Sequence, residues 1–198
     1  MPSFTRVSVL VTLCVGRNLA AQPSFDPSMA LLALPSELRE EAAIMTYGED
    51  GLFEVLRHGT NDWFCIADRP GDQRFSVQCH PTAMRAYLER QSVLRNTVRR
   101  AERDSTVMEE MKTGKLVLPN AVLSWNIQGT VNKSTGVPDS VRIWNELRVP
   151  YTTARETGLP TDDAGEDPWL MSEGRYSAHI MVRWRYIPWE EFIRSHDR

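Results

Sequence analysis

The stretch WFCIADRPGDQRFSVQC, residues 63–79, indicates the fold most directly. Two short runs of aromatic, β-branched and other apolar residues, 63–67 and 75–79, flank the turn sequence Asp-Arg-Pro-Gly-Asp at 68–72. Runs of this length on either side of a Pro-Gly turn are typical of an antiparallel β-hairpin. We therefore expect two adjacent strands here, with one cysteine in each.

Strand patterns continue on both sides of this hairpin. Residues 43–47 and 52–57 flank Gly-Glu-Asp-Gly at 48–51, which is a tight-turn sequence. Together with the first hairpin they predict a four-stranded antiparallel meander. Later strands are predicted at 121–128, 141–149 and 177–184, and Trp125 and Trp144 on two of them are interpreted as an aromatic cross-strand pair.

One long helix is predicted over residues 81–112. Pro81 suits the first helical position, and Gly114 follows as a stop signal. Apolar residues between them recur at spacings of three and four, while Arg95, Arg99 and Arg103 form a row interpreted as a solvated face. The predicted fold class is α+β, an antiparallel sheet or sheets with one long helix packed across.

The composition is that of an ordinary globular chain. Its 198 residues are 41% hydrophobic and 25% charged, with a formal net charge of −3. These values exclude a disordered tail, a collagen-like fibre, a coiled-coil rod and a strongly basic nucleic-acid binder. We therefore expect a single domain and no nucleic-acid partner.

The first 21 residues have the pattern of a secretory signal peptide. Arg6 precedes the uncharged run 7–15, and small residues lead up to a cleavage point after Ala21. The run of nine residues is too short to span a bilayer, so no integral membrane segment is expected after cleavage. The predicted organisation is a signal peptide at 1–21, a loose leader at 22–34 and one domain at 35–198, in a periplasmic or secreted protein.

Signal removal changes the cysteine count from three to two, which leaves Cys65 and Cys79. Disulfides form and persist in exported proteins, so a bridge between these two is predicted, with two separate buried thiols as the alternative. The loop of about 15 residues would contribute roughly 3 kcal/mol to stability. Cys79 with the adjacent His80 lacks the paired ligand spacing of a zinc site, so no metal is predicted.

The sequence lacks several of the common catalytic and cofactor-binding motifs. There is no Gly-x-Gly pair, no Gly-x-Ser-x-Gly and no His-Glu-x-x-His, so no cofactor is predicted. His179 and His58 are the candidate catalytic residues, and either would need a carboxylate partner to act as a base. The alternative for His179, which lies in an apolar strand, is a hydrogen-bonded structural role.

The segment Leu-Arg-His-Gly-Thr-Asn-Asp-Trp-Phe-Cys at 56–65 resembles the Leu-Arg-x-Gly-Thr-Asn-x-Trp-x-Cys segment of a group of small exported bacterial proteins of unknown function. Pro-Ser-Glu-Leu-Arg at 35–39 and the late stretches 168–171 and 178–181 resemble other parts of that group. The resemblance implies export, paired cysteines and a single domain. It implies no activity.

The same segment has two physical interpretations. Gly-Thr-Asn is typical of a polar turn, and a Trp on the same strand face as a disulfide is typical of a core anchor. Alternatively, the segment forms a ligand patch together with residues elsewhere in the chain. The candidate binding residues are Arg57, Thr60, Asn61, Trp63 and Trp169.

Two functions are consistent with these patterns. The first is a non-catalytic exported protein that binds a small molecule, a glycan or an envelope partner, which agrees with six tryptophans and no catalytic motif. The second is an exported hydrolase or isomerase that uses His179 or His58 with a carboxylate. A pocket that brings one of these histidines to a carboxylate near Arg57 or Asn61 would favour the enzyme.

Overall fold

The computed structural model describes residues 25–71, 73–163 and 168–196. The signal peptide expected at residues 1–21 lies outside these ranges. The strands are β1 (Ala43–Tyr47), β2 (Phe53–Arg57), β3 (Trp63–Ile66), β4 (Arg74–Pro81), β5 (Val122–Val131), β6 (Pro138–Arg148), β7 (Trp169–Met171) and β8 (His179–Pro188). The α-helices are α1 (Ser36–Arg39), α2 (Arg85–Thr97), α3 (Arg100–Lys112), α4 (Ala154–Thr157) and α5 (Trp189–His196).

The strands form one sheet in the order β2-β1-β3-β4-β5-β6-β8-β7, so the predicted mixture of α and β structure is confirmed. All neighbours are antiparallel except β1 and β3, which are parallel. The predicted meander is therefore wrong. The backbone N–H groups of Thr60 and Asn61 donate to the carbonyl of Glu41, just before β1. These bonds bring the chain after β2 back to the start of β1, so β3 begins there and runs parallel to β1.

The single long helix predicted at 81–112 is also wrong. Pro81 ends β4, a 3-10 turn follows at Thr82–Met84, and the backbone at Val98 and Arg99 is extended between α2 and α3. Arg90 Nε lies 2.8 Å from Glu110 Oε2, whereas 20 residues of straight helix would separate them by about 30 Å. The two helices therefore fold back on each other as a helical hairpin, and Arg95, Arg99 and Arg103 share no common helix face.

The apolar part of the segment 22–34, which was predicted as a loose leader, packs into the core. A 3-10 helix spans Pro27–Ala33, and the Asp26 side chain accepts a hydrogen bond from Ser28 N. Ala30 and Leu34 are each only 1% exposed. The apolar run that begins at Met29 packs on the sheet because this buries apolar side chains of both the run and the strands. The free energy gained by this burial outweighs the preference of the neighbouring Pro and Ser residues for a loop.

One face of the sheet is covered by this 3-10 helix, α1 and α5. Its core contains Phe75, Val77, Ile127, Val141 and Phe192. The two ends of the described chain meet on this face, because the Phe25 ring lies 4.7 Å from the Phe75 ring and the Trp189 ring lies 5.2 Å from it. We call this side the covered face.

The other face is only partly covered. The helical hairpin of α2 and α3 packs over one end through two apolar clusters, which include Tyr87, Leu94 and Val107 in one and Phe64 with Leu88 in the other. The rest of this face carries polar and aromatic side chains of β4, β5, β6 and β8. The predicted Trp125–Trp144 pair is wrong, because Trp125 lies opposite Asn145 and Trp144 opposite Asn126, which places the two rings on opposite faces.

The disulfide predicted between Cys65 and Cys79 is present. The two residues are direct neighbours across β3 and β4, with an S–S distance of 2.01 Å, and both are 0% exposed. Trp63 packs against the same core, so it shares the strand face of the disulfide as expected.

Candidate functional site

The Gly-Thr-Asn segment at 59–61 is hydrogen-bonded to the connection between α1 and β1. We call this segment, together with Arg57, the clamp. Asn61 Nδ2 donates to the carbonyl of Leu38 at 2.9 Å, and Asn61 Oδ1 accepts from Trp63 N at 3.0 Å. The backbone N–H groups of Thr60 and Asn61 donate to Glu41 O at 2.7 and 3.2 Å. The Asn61 side chain is therefore engaged by backbone on both sides of the turn, which favours the structural interpretation.

Arg57 belongs to the same clamp. Its Nη2 atom donates to the carbonyls of Arg39 and Ala42 at 2.8 and 2.5 Å. Arg39 is the last residue of α1 and Ala42 immediately precedes β1, so the guanidinium closes the end of α1 onto the sheet. His58, next in the chain, is exposed and forms no ion pair with a carboxylate within the described ranges.

His179 does have a carboxylate beside it. Its Nε2 atom lies 3.4 Å from Glu146 Oε2, and its Nδ1 atom lies 2.8 Å from the carbonyl of Ser177, to which it donates. The side chain is 14% exposed. Glu146 Oε1 in turn lies 3.8 Å from Arg148 Nη2. Glu146 is the carboxylate partner that the enzyme hypothesis requires. The Ser177 carbonyl and the Glu146 carboxylate together can equally hold the His179 ring in a purely structural role.

The structure separates the predicted binding residues into two groups. Arg57 lies on β2 and His179 on β8, and these strands are six positions apart in the sheet order, about 29 Å at the usual strand spacing. Trp169 lies on β7 opposite Met181 and is 4% exposed, so it belongs to the His179 end. No single pocket can therefore combine the clamp residues with His179.

A buried polar pair that no sequence motif indicates lies in the middle of the sheet. His80 Nδ1 lies 2.8 Å from Ser124 Oγ, and the two residues are 2% and 1% exposed. Burial, together with the nearby Arg148 charge, lowers the pKa of His80 to about 3, so the ring is neutral. Because neither side chain reaches solvent, this serine–histidine pair is a core hydrogen bond and not an accessible nucleophile.

Among the described residues, the open part of the second face holds four arginines, which come from the turn between β3 and β4, from β4, from α2 and from β6. One groove of about 450 Å³ is lined by Arg74, Gln128, Arg142 and Tyr186. An adjoining groove of about 360 Å³ is lined by Tyr47, Arg69, Arg74 and Arg95. Arg74 lies in both grooves, so they form one continuous surface, which we call the arginine face.

Aromatic rings orient the arginine side chains. Arg69 and Arg95 lie over the Tyr47 ring, with guanidinium carbons 5.0 and 5.7 Å from its centroid. Arg142 lies 4.5 Å over the Trp144 ring and donates to Gln128 Oε1. Such stacking restricts the guanidinium planes before any ligand arrives, because the cation is attracted to the ring face.

The acidic residues of these grooves are already engaged. Asp68 Oδ1 accepts from the backbone N–H of Ser76 at 2.7 Å, and Asp139 Oδ1 accepts from Asn132 Nδ2 at 2.9 Å. Four arginines and two aspartates line the arginine face, which is thus locally positive in a chain of net charge −3. The alternating Arg142-x-Trp144 in a strand was the one signal in the sequence that could have indicated it.

No group of three or more His, Cys, Asp or Glu side chains lies close enough to hold a metal ion among the described residues. No helix in the described part of the chain has the length and apolar character needed to cross a membrane. Compared with protein-family models, with curated proteins and with solved structures, the chain shows no significant match in any of the three.

Proposed function

We propose that this is an exported, non-catalytic protein that binds an acidic oligosaccharide on the arginine face. The observation that carries the proposal is the grouping of Arg69, Arg74, Arg95 and Arg142 with aromatic rings around the open part of the second face. Export rests on the pattern of residues 1–21.

The four arginine side chains are the reason for proposing a negatively charged ligand. A guanidinium presents N–H donors in a planar fork that matches a carboxylate or a sulfate, and such charge-assisted hydrogen bonds are stronger than neutral ones. The stacking on Tyr47 and Trp144 lowers the entropy that these long side chains lose on binding. A neutral ligand would form no charge-assisted hydrogen bond with these arginines.

The length of the arginine face and its amide side chains are the reasons for proposing a carbohydrate oligomer. From β1, which carries Tyr47, to β8, which carries Tyr186, five strand spacings give about 24 Å. That length fits an extended oligomer better than a small metabolite. Gln78 and Gln128 add amide groups that can bind the hydroxyls of a sugar.

A pair of probes that differ only in charge tests the proposal. Calorimetric titration with a galacturonate hexamer, and with the same hexamer fully methyl-esterified, compares acidic and neutral ligands on one backbone. We expect the acid to bind at least tenfold more tightly, with an affinity that weakens as salt rises. Equal affinities, or tighter binding of an oligothymidylate of similar length, would overturn the proposal.

Variants place the binding on the arginine face. Arg142→Gln and Arg74→Gln should each weaken binding of the acidic hexamer about tenfold, because each removes a charged donor. Arg155→Gln is the matched control, since Arg155 is an exposed arginine in α4. An equal loss in all three variants would indicate non-specific attraction and contradict a defined site.

The hydrolase remains a second candidate because Glu146 lies beside His179. The same hexamers decide between the two functions. Chromatography after long incubation should recover the oligomer intact if the protein only binds. Shorter products that disappear with His179→Gln, while the melting temperature is unchanged, would instead establish the enzyme.

A further inference from the structure

A separate cavity lies on the covered face, on the side of the sheet opposite the arginine face. It has a volume of about 220 Å³ and lies between the 3-10 helix, the strands β5, β6 and β8, and the end of α5. Its apolar lining includes Leu34 and Ile143, and its polar lining includes Arg39, Trp125, Asn145 and Arg185. A volume below the usual 300–1,000 Å³ of drug-sized pockets suits a small metabolite.

Two lining residues of this cavity carry buried polar atoms without a partner. Trp125 Nε1 is a donor and Asn145 Oδ1 is an acceptor, and neither has a hydrogen-bond partner among the described residues. The two residues face each other across β5 and β6, and Asn145 is 6% exposed. Because a buried polar group without a hydrogen-bond partner destabilises the fold, these two atoms indicate that a ligand supplies their partners.

The charge of the cavity lining specifies that occupant further. Arg39 and Arg185 both contribute to it, and none of the cavity-lining residues in the described chain is acidic. Arg185 is exposed, whereas Asn145 is buried, so the positive charge lies nearer to solvent than the neutral polar pair. A ligand therefore needs an anionic end, a neutral donor and acceptor, and an apolar body.

We propose that this cavity binds a small 2-hydroxy carboxylic acid with a branched aliphatic side chain. The carboxylate binds to the guanidinium groups of Arg39 and Arg185. A small rotation of the two side chains towards the cavity lets the hydroxyl donate to Asn145 Oδ1 and accept from Trp125 Nε1, which satisfies both unpaired atoms at once. The aliphatic chain packs on Leu34 and Ile143. This site is independent of the arginine face and of the oligosaccharide proposal.

The test uses 2-hydroxy-4-methylpentanoate and two close analogues, its amide and 4-methylpentanoate. The amide lacks the charge, and 4-methylpentanoate lacks the hydroxyl. Titration of the ¹⁵N-labelled full chain follows the indole N–H signal of Trp125, which Trp125→Phe identifies by its loss. We expect a saturable shift of that signal with the hydroxy acid, and binding of both analogues about tenfold weaker.

Three variants complete the experiment. Arg185→Gln should weaken the hydroxy acid about tenfold, and because Arg185 is exposed this change leaves the fold intact. Asn145→Leu should make 4-methylpentanoate bind as well as the hydroxy acid, since the acceptor for the hydroxyl is gone. Arg142→Gln, on the opposite face, is the control and should change nothing. No saturable shift up to the solubility of the acid, or equal binding of acid and amide, would overturn the proposal.

Discussion

A Cβ atom on Gly59 would lie 2.3 Å from the backbone nitrogen of Ala43. The same atom would lie 2.5 Å from the carbonyl oxygen of Glu41, which accepts the hydrogen bonds that turn the chain back to β1. Both contacts are with backbone, which cannot move aside as a side-chain tip can. Gly59 is therefore required by the close approach of two chain segments and not by its own backbone angle.

Gly59→Ala should lower the free energy of unfolding by about 3 kcal/mol, because overpacking against fixed backbone forces β1 and β3 apart. Urea denaturation measures the change. Gly136→Ala is the matched control: no atom lies within 4 Å of the added Cβ, and only its positive φ opposes the substitution. That control should lose about 1 kcal/mol, and a similar loss in both variants would contradict the packing argument.

Asn61→Ala should destabilise the protein by about 2 kcal/mol, because it removes the bonds to Leu38 O and from Trp63 N. Thermal and urea unfolding report the loss. Thr60→Ala is the control, since Thr60 serves the clamp through its backbone N–H. Binding of the acidic hexamer should be unchanged in both variants, and an unchanged melting temperature for Asn61→Ala would restore the ligand-patch interpretation of this segment.

The Cys65–Cys79 disulfide should resist reduction while the protein is folded, because both residues are 0% exposed. Mass spectrometry after alkylation in dithiothreitol, with and without urea, measures this protection. The double variant Cys65→Ala/Cys79→Ala should lose about 3 kcal/mol of stability. Rapid labelling of two thiols in folded protein prepared under oxidising conditions would contradict the bridge.

His80 should make the protein less stable in mild acid. Its pKa is about 6.5 in an unfolded chain and is lowered to about 3 by burial and by Arg148. Below pH 6.5 the unfolded chain takes up a proton that the folded protein does not, so stability falls as the pH drops from 6.5 towards 3. Between pH 7 and 5 this group should account for a loss of about 2 kcal/mol.

The control for this pH dependence is His80→Gln, which has no titrating ring at this position. Denaturant unfolding at pH 7, 6 and 5 should give a steeper loss in the native sequence than in the variant, whatever the absolute stability of the variant. Parallel curves for the two proteins would show that His80 is not the group responsible.

The elements that were predicted correctly are those with local signals. The Asp-Gly and Pro-Gly turns identify two hairpins, and the cysteine in each strand of the second identifies the bridge. The break between α2 and α3 has no such signal, because Val98-Arg99 contains neither proline nor glycine. Only the packing of the two helices on each other fixes it.

The candidate sites depend on which residues lie opposite each other in paired strands, and a single sequence does not show this pairing. Arg69, Arg95 and Arg142 come from a turn, a helix and a strand, and they meet only because the sheet order and the helical hairpin bring them together. Likewise, Trp125 and Asn145 become neighbours through the pairing of β5 with β6. His179 was identified from its strand, but its partner Glu146 lies 33 positions earlier in the chain and depends on the pairing of β6 with β8.

The contact of Phe25 and Trp189 with Phe75 has a consequence for the order of assembly. The covered face is completed only when α5, which carries Phe192, packs against it. A nascent chain that has not yet produced α5 leaves Phe75 without its contact to Trp189. Phe75 therefore stays accessible while most of the sheet has already been synthesised, and the face closes only when α5 docks.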